Sequence, residues 1–158
     1  MSTPSQAQVR RSVAQAQTMV VKVGSSSLTR SSGHLDAAKL EALVASVAAN
    51  VLSGARIVMV SSGAIAAGFG PLGFAERPRD VATQQAAASV GQGLLMARYE
   101  TAFARYGIRV GQILITAEDT IRAAQYRNAR RTLERLLDLG VVPIVNENDT
   151  VSTYEMQF

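Results

Sequence analysis

Residues 56–63 read RIVMVSSG, a short apolar run that passes directly into two serines and a glycine. An apolar run of this length, bounded by turn residues, predicts a strand buried on both faces, as in a parallel sheet. Residues 18–24 (TMVVKVG) and 141–145 (VVPIV) show the same pattern on either side of it in the chain. They predict two further buried strands, the first over Thr18–Val23, although Pro143 disfavours a fully hydrogen-bonded position in the second.

Helical patterns lie between these strands. Asp36 is placed to cap a helix in which leucine and valine recur every three or four residues until Gly54. Because strands and helices alternate along the chain, we predict an α/β fold with a mostly parallel sheet and helices on both faces. The other predicted segments are a loop over 25–33, turns over 63–78, helices over 81–106 and 125–139, and a strand over 108–116.

The composition limits the class of protein. The chain has 158 residues, of which 47% are apolar and 18% charged, enough for one domain with a buried core. It has no cysteine and one histidine, which excludes a disulfide framework and argues against a zinc site. No apolar stretch approaches the roughly 18 residues of a membrane span. The net charge is +4, but the arginines are scattered without interleaved aromatic residues. We therefore expect no nucleic acid or membrane partner and a cytoplasmic location.

The first 17 residues differ from the rest of the chain. Residues 1–17 are polar, contain no acidic side chain and show little apolar periodicity. This pattern predicts a disordered N-terminal extension, with an organelle transit peptide as the alternative. The organised domain is predicted to begin at residue 18.

Small, polar and charged residues follow the predicted strands at their carboxyl ends. Ligands of open α/β sheets bind beyond these ends. Glycine admits a close backbone approach, hydroxyls and amides form hydrogen bonds, and lysine supplies positive charge, so the predicted ligand is an anion. Taken singly, each residue has a plainer interpretation: a lysine at a sheet edge, a serine turn, an ordinary loop carboxylate. The candidate residues are Lys22, Gly24 and Ser25 at the first strand, Ser62 at the second, and Asn146 and Asp149 at the last.

Four blocks of sequence resemble one known family. They are VVKVGSSSLT (20–29), VSSGAIAAG (60–68), QAAASVGQ (85–92) and VNENDTV (145–151). In this order they are similar to the glutamate 5-kinases of the amino acid kinase family, and the resemblance covers residues 18–158. It implies an amino acid kinase-like, three-layer αβα fold, with 18–158 as its N-terminal, acceptor-binding part.

The resemblance also implies an activity. It is the ATP-dependent phosphorylation of the γ-carboxylate of L-glutamate to L-glutamyl 5-phosphate, the first step of proline biosynthesis. The implied ligands are L-glutamate, ATP and Mg²⁺ held by the nucleotide, and the implied full-length protein is a homo-oligomer. Phosphoryl transfer to a carboxylate that is already ionised needs positioning and charge neutralisation rather than a strong base.

Roles of individual residues follow from the same blocks. Lys22 resembles the catalytic lysine that contacts the ATP phosphates, beside Gly24 and Ser25. Ser62 and Asp149 resemble residues that bind glutamate, with Asn146 as a weaker candidate, and no residue is assigned to a metal. Gln84 stands where relatives often have a lysine.

The resemblance is incomplete at the C-terminal end. In the family the segment that matches Met156–Phe158 continues with a Gly-Asp-Asn-Asp stretch, and the nucleotide-binding half comes later. We therefore expect a fragment of such a kinase, inactive by itself. Two alternatives remain at this stage: a non-catalytic remnant that binds an anion or a partner subunit, and another member of the amino acid kinase family.

Overall fold

The computed structural model describes residues 5–6, 16–30, 32–76 and 78–148. Asp149 and most of the predicted N-terminal extension over 1–17 lie outside these residues. The strands are β1 (Thr18–Val23), β2 (Arg56–Ser61), β3 (Arg109–Ile115) and β4 (Val141–Glu147). The helices are α1 (Ser25–Leu28), α2 (Ala37–Leu52), α3 (Ala64–Phe69), α4 (Val81–Ala104), α5 (Ala117–Ile121) and α6 (Ala123–Asp138).

The strands form one sheet in the order β1-β2-β4-β3, and every pairing is parallel. On one face Ile57, Met59 and Ile144 share a core with α2 and α4. On the other face α6 packs against β4 and β2. The predicted α/β fold with a parallel sheet and helices on both faces is confirmed.

The first strand is not buried on both faces, and that prediction was wrong. β1 pairs only with β2 among the described strands, so it lies at an edge of this sheet. Thr18, Val20 and Lys22 are exposed, while Met19, Val21 and Val23 face the core in part or fully. The alternation is what a strand covered on one face requires.

Pro143 lies in a central strand. It is fully buried and stands opposite Gly111 of β3. The ladder between β4 and β2 runs through Ile144 and Val145, on the carboxyl side of the proline. The missing N–H of Pro143 therefore falls outside the paired stretch with β2, which reconciles the proline with a central position.

The long helices agree with the sequence pattern and the short ones do not. The Asp36 carboxylate caps α2 by accepting hydrogen bonds from the backbone of Ala38 and Lys39, as predicted. The short helices α1 and α3 lie in segments that were predicted to be loop and turns, and α5 had no prediction at all. A helix of four to six residues is too short to show an apolar period, so the pattern cannot reveal it.

The helix α3 packs closely on α4 through two glycines. A Cβ at Gly91 would lie 1.8 Å from the carbonyl oxygen of Ala64, and one at Gly68 would lie 2.0 Å from that of Ala87. Only hydrogen fits at either position, so the two helix backbones touch. This contact fixes the start of α3, which follows directly on β2. No helix in the described part of the chain has the length and apolar character needed to cross a membrane.

Candidate functional site

The carboxyl ends of three strands lie side by side. Val23 at the end of β1 stands opposite Ser61 at the end of β2. Val60 of β2 stands opposite Val145 of β4, so the next residues, Ser61 and Asn146, are neighbours on adjacent strands. The predicted site segments, which are separated widely in sequence, thus reach the same edge of the sheet.

Ser62 is bound to the end of the first strand. Its backbone N–H and its hydroxyl both donate to the carbonyl oxygen of Val23, at 3.1 and 3.0 Å. The next residue, Gly63, has φ +115°, a conformation that side chains rarely adopt, and it turns the chain into α3. Because the Ser62 hydroxyl already donates, its oxygen can accept a hydrogen bond as it stands, and rotation would let it donate to an anion.

The end of β1 is the solvent-exposed part of the site, and it carries Lys22, Gly24 and Ser25. Lys22 is opposite Val60 in the register, and its side chain is exposed. This position agrees with the plainer interpretation of a lysine at a sheet edge, because β1 is an edge strand of the described sheet. A Cβ at Gly24 would meet only Ser26 Oγ, at 4.0 Å, so the space over its backbone is open. An anion can reach the ammonium and the backbone here.

Asn146 is buried, with 3% of its surface exposed, and its side chain is held at both ends. Its Oδ1 accepts the backbone N–H of Glu147 at 3.0 Å, and its Nδ2 donates to Oε1 of Gln92 at 2.5 Å. Gln92 is on α4, one residue after the glycine that touches Ala64. The amide of Asn146 therefore joins the end of β4 to the helix behind the site.

A second contact from α4 reaches the end of β2. The hydroxyls of Tyr99 and Ser61 are 2.9 Å apart, and both residues are buried. Burial raises the pKa of the Tyr99 hydroxyl, partly opposed by the hydrogen bond with Ser61, so this hydroxyl is uncharged at neutral pH. Gln92 and Tyr99 are two helical turns apart and lie on one face of α4.

The sequence analysis did not identify Gln92 or Tyr99. Each contacts a strand that is more than 30 residues away in the chain, so no local pattern marks the contact. Two signals were available: Gln92 ends the block QAAASVGQ (85–92), and the glutamine and tyrosine lie two turns apart on the inner face of an alanine-rich helix. Asp149, by contrast, lies outside the described residues.

The end of β3 differs from the other three. Thr116 and Asp119 bond to each other in a capping box at the start of α5. The backbone and side-chain hydrogen bonds from Thr116 lower the pKa of Asp119 and keep it ionised. Within the described ranges no three His, Asp or Glu side chains are grouped to hold a metal ion.

Residues 17–156 match the amino acid kinase family. The chain belongs to the amino acid kinase family. Its relatives include the glutamate 5-kinase of Bifidobacterium longum subsp. infantis, 76% identical over all 158 residues, which cover 42% of that enzyme. The glutamate 5-kinase of Bifidobacterium adolescentis is 71% identical over all 158 residues, which again cover 42% of that enzyme. That of Thermobifida fusca is 58% identical over 151 residues, 96% of this chain and 39% of that enzyme.

These matches place the described edge within an amino acid kinase. The chain spans less than half the length of each of these relatives. The name glutamate 5-kinase describes the activity of those whole enzymes.

Proposed function

We propose that residues 18–158 are the N-terminal, acceptor-binding part of a glutamate 5-kinase. The complete enzyme would transfer the γ-phosphoryl group of ATP to the γ-carboxylate of L-glutamate, giving L-glutamyl 5-phosphate and beginning proline biosynthesis. The observation that carries the proposal is the alignment of Val23, Ser61 and Asn146 at one sheet edge. Three separate polar segments would thereby face a single ligand, as expected at the carboxyl ends of an open α/β sheet.

The acceptor side would be formed by Ser62, Asn146 and Asp149. Ser62 directly follows β2, and its backbone N–H and its hydroxyl both donate to the carbonyl oxygen of Val23. Asn146 is buried one step behind, so it would act through the residues that it orients as well as by contact. A carboxylate at Asp149 would complement the ammonium of a free amino acid, which favours glutamate over an N-acylated acceptor.

The phosphate side would be formed by Lys22, Gly24 and Ser25. ATP would supply the phosphoryl group: a γ-carboxylate oxygen bonds to the γ-phosphorus while the bond to the β,γ-bridging oxygen breaks and ADP leaves. The exposed ammonium of Lys22 would neutralise charge on the transferring group, and the open space at Gly24 admits phosphate oxygens. Mg²⁺ would be held by the nucleotide, and we assign none of the described residues to it.

Self-association and a cytoplasmic location belong to the same proposal. Val90 and Leu94 are each 40% exposed on the outer face of α4, and such an apolar stripe is suited to contact with a second copy. A kinase that consumes ATP and free glutamate would work in the cytoplasm, where both are available. Light scattering of the complete gene product measures the oligomeric state, and a strict monomer would contradict this part.

The activity is tested with the complete gene product, MgATP and L-glutamate. Hydroxylamine traps an acyl phosphate as a hydroxamate, and we expect γ-glutamyl hydroxamate together with stoichiometric ADP. L-aspartate and N-acetyl-L-glutamate serve as matched acceptors. A product from N-acetyl-L-glutamate alone would favour another amino acid kinase. Glutamate binding without any product would favour a non-catalytic protein.

A further inference from the structure

Gln92 carries a buried hydrogen-bond donor that no described residue uses. Its Nε2 is inaccessible to solvent and has no hydrogen-bond partner among the residues that the structure describes. A buried amide donor without a partner is destabilising, so such groups are rare in folded proteins and call for an explanation.

The orientation of this amide is fixed by a chain of hydrogen bonds. The backbone N–H of Glu147 donates to Oδ1 of Asn146, which turns Nδ2 of Asn146 toward Gln92. That Nδ2 must meet an acceptor, so Oε1 of Gln92 faces Asn146 and Nε2 faces away. Exchanging the oxygen and nitrogen of Gln92 would bring two donors together. The unpaired donor is therefore a consequence of the β4 backbone.

The Gln92 amide lies near the ends of β2 and β4. Asn146 is at the end of β4, and Gly91 touches the carbonyl of Ala64, at the start of the helix that follows Ser62. Gln92 thus lies between the ends of β2 and β4. A donor at this place needs an oxygen atom as its partner, and the ligand proposed above carries two carboxylates.

We propose that Gln92 is a further substrate-binding residue, whose Nε2 donates a hydrogen bond to a carboxylate oxygen of the acceptor once the side chains that cover Nε2 move aside as the acceptor binds. This proposal rests on the proposed function and adds one specific contact to it. Asn146 is then a positioning residue for Gln92: it selects the orientation in which the donor, rather than the oxygen, faces the ligand.

Gln92→Glu isolates the donor. A carboxylate keeps an oxygen for Asn146 Nδ2 but places a second oxygen where the donor was, so it repels an acceptor carboxylate. In the complete gene product we expect the KM for glutamate to rise on the order of 10- to 100-fold. The KM for ATP should change little, whereas the melting temperature should fall, because the second carboxylate oxygen is buried without a donor. Gln92→Leu, which removes both polar atoms, should raise the same KM and also lower the melting temperature.

The matched control is Asn50→Asp. Asn50 is an exposed amide on α2 that bonds to Ser46 O, so the same change of chemistry there should leave the glutamate KM unaltered. A wild-type glutamate KM in both Gln92 variants, whatever their melting temperatures, would show that Nε2 does not contact the acceptor and would overturn the proposal. Wild-type protein that neither binds nor phosphorylates glutamate would overturn the proposed function itself.

Discussion

The hydroxyl groups of Tyr99 and Ser61 form a buried hydrogen bond of 2.9 Å between the long helix α4 and the last residue of β2. Ser61 Oγ also lies 3.3 Å from the carbonyl oxygen of Ser62, which can only accept. Ser61 therefore donates to that carbonyl and accepts from Tyr99. The bond fixes the residue directly before Ser62, so it connects the core to the candidate site.

Removal of either partner should destabilise the fold. Tyr99→Phe leaves the buried Ser61 oxygen without its donor, and we expect a loss of about 1–2 kcal/mol in the free energy of unfolding. Ser61→Ala also removes the bond to Ser62 O and should cost at least as much, and the double variant should cost less than the sum, because both changes remove the bond between the two hydroxyls. Urea unfolding measures all three. Tyr106→Phe is the control, since Tyr106 is 39% exposed. Strict additivity would contradict the coupling.

The contact between α3 and α4 should not tolerate a methyl group. Gly91→Ala and Gly68→Ala place a Cβ against backbone atoms that cannot move independently, so each should destabilise by roughly 3 kcal/mol. Gly93→Ala on the same helix meets nothing within 4 Å, and should be neutral or stabilising by up to about 1 kcal/mol. Thermal and urea melts of the three variants decide this. An equal effect at Gly91 and Gly93 would show that the helices are not in contact.

Lys22 should affect turnover more than glutamate affinity. If its ammonium acts on the transferring phosphoryl group, Lys22→Ala lowers kcat on the order of 100-fold, because the charge matters most in the transition state. Lys39→Ala is the matched control: it removes the only other lysine of the chain, whose ammonium donates to Thr29 O. Steady-state kinetics with an unchanged kcat and a raised glutamate KM would refute the assignment.

Ser62 and Asp149 should show the opposite behaviour. Ser62→Ala and Asp149→Ala remove contacts to the bound acceptor, so the KM for glutamate should rise more than kcat falls. Asp149→Ala should be the more severe, at about 2–5 kcal/mol of binding, because it leaves the substrate ammonium without a counter-ion. Asp138→Ala is the control, since that exposed carboxylate pairs with Arg56 at the start of β2. Isothermal calorimetry showing wild-type glutamate affinity in Asp149→Ala would exclude its role.

The order of strands and long helices could be predicted from the sequence because it follows from local signals. The Asp36 cap, the apolar period of α2 and the short apolar runs each lie within a few residues. The four strands were located within about two residues of their observed ends. The exposed side of β1 could not be predicted, because exposure depends on which elements pack against that face of the sheet. A lysine between two valines is compatible with a covered face and with an exposed face of a strand.

The sequence by itself determined that this protein is a parallel α/β domain with polar residues after its strands. It determined this because apolar runs, caps and turn residues act over short stretches of chain. Only the tertiary structure decided that Lys22 is exposed, that Ser62 bonds to Val23, and that Gln92 holds Asn146. These relationships join residues distant in the chain, and they depend on strand register and on the close glycine contact between two helices, which no local pattern encodes.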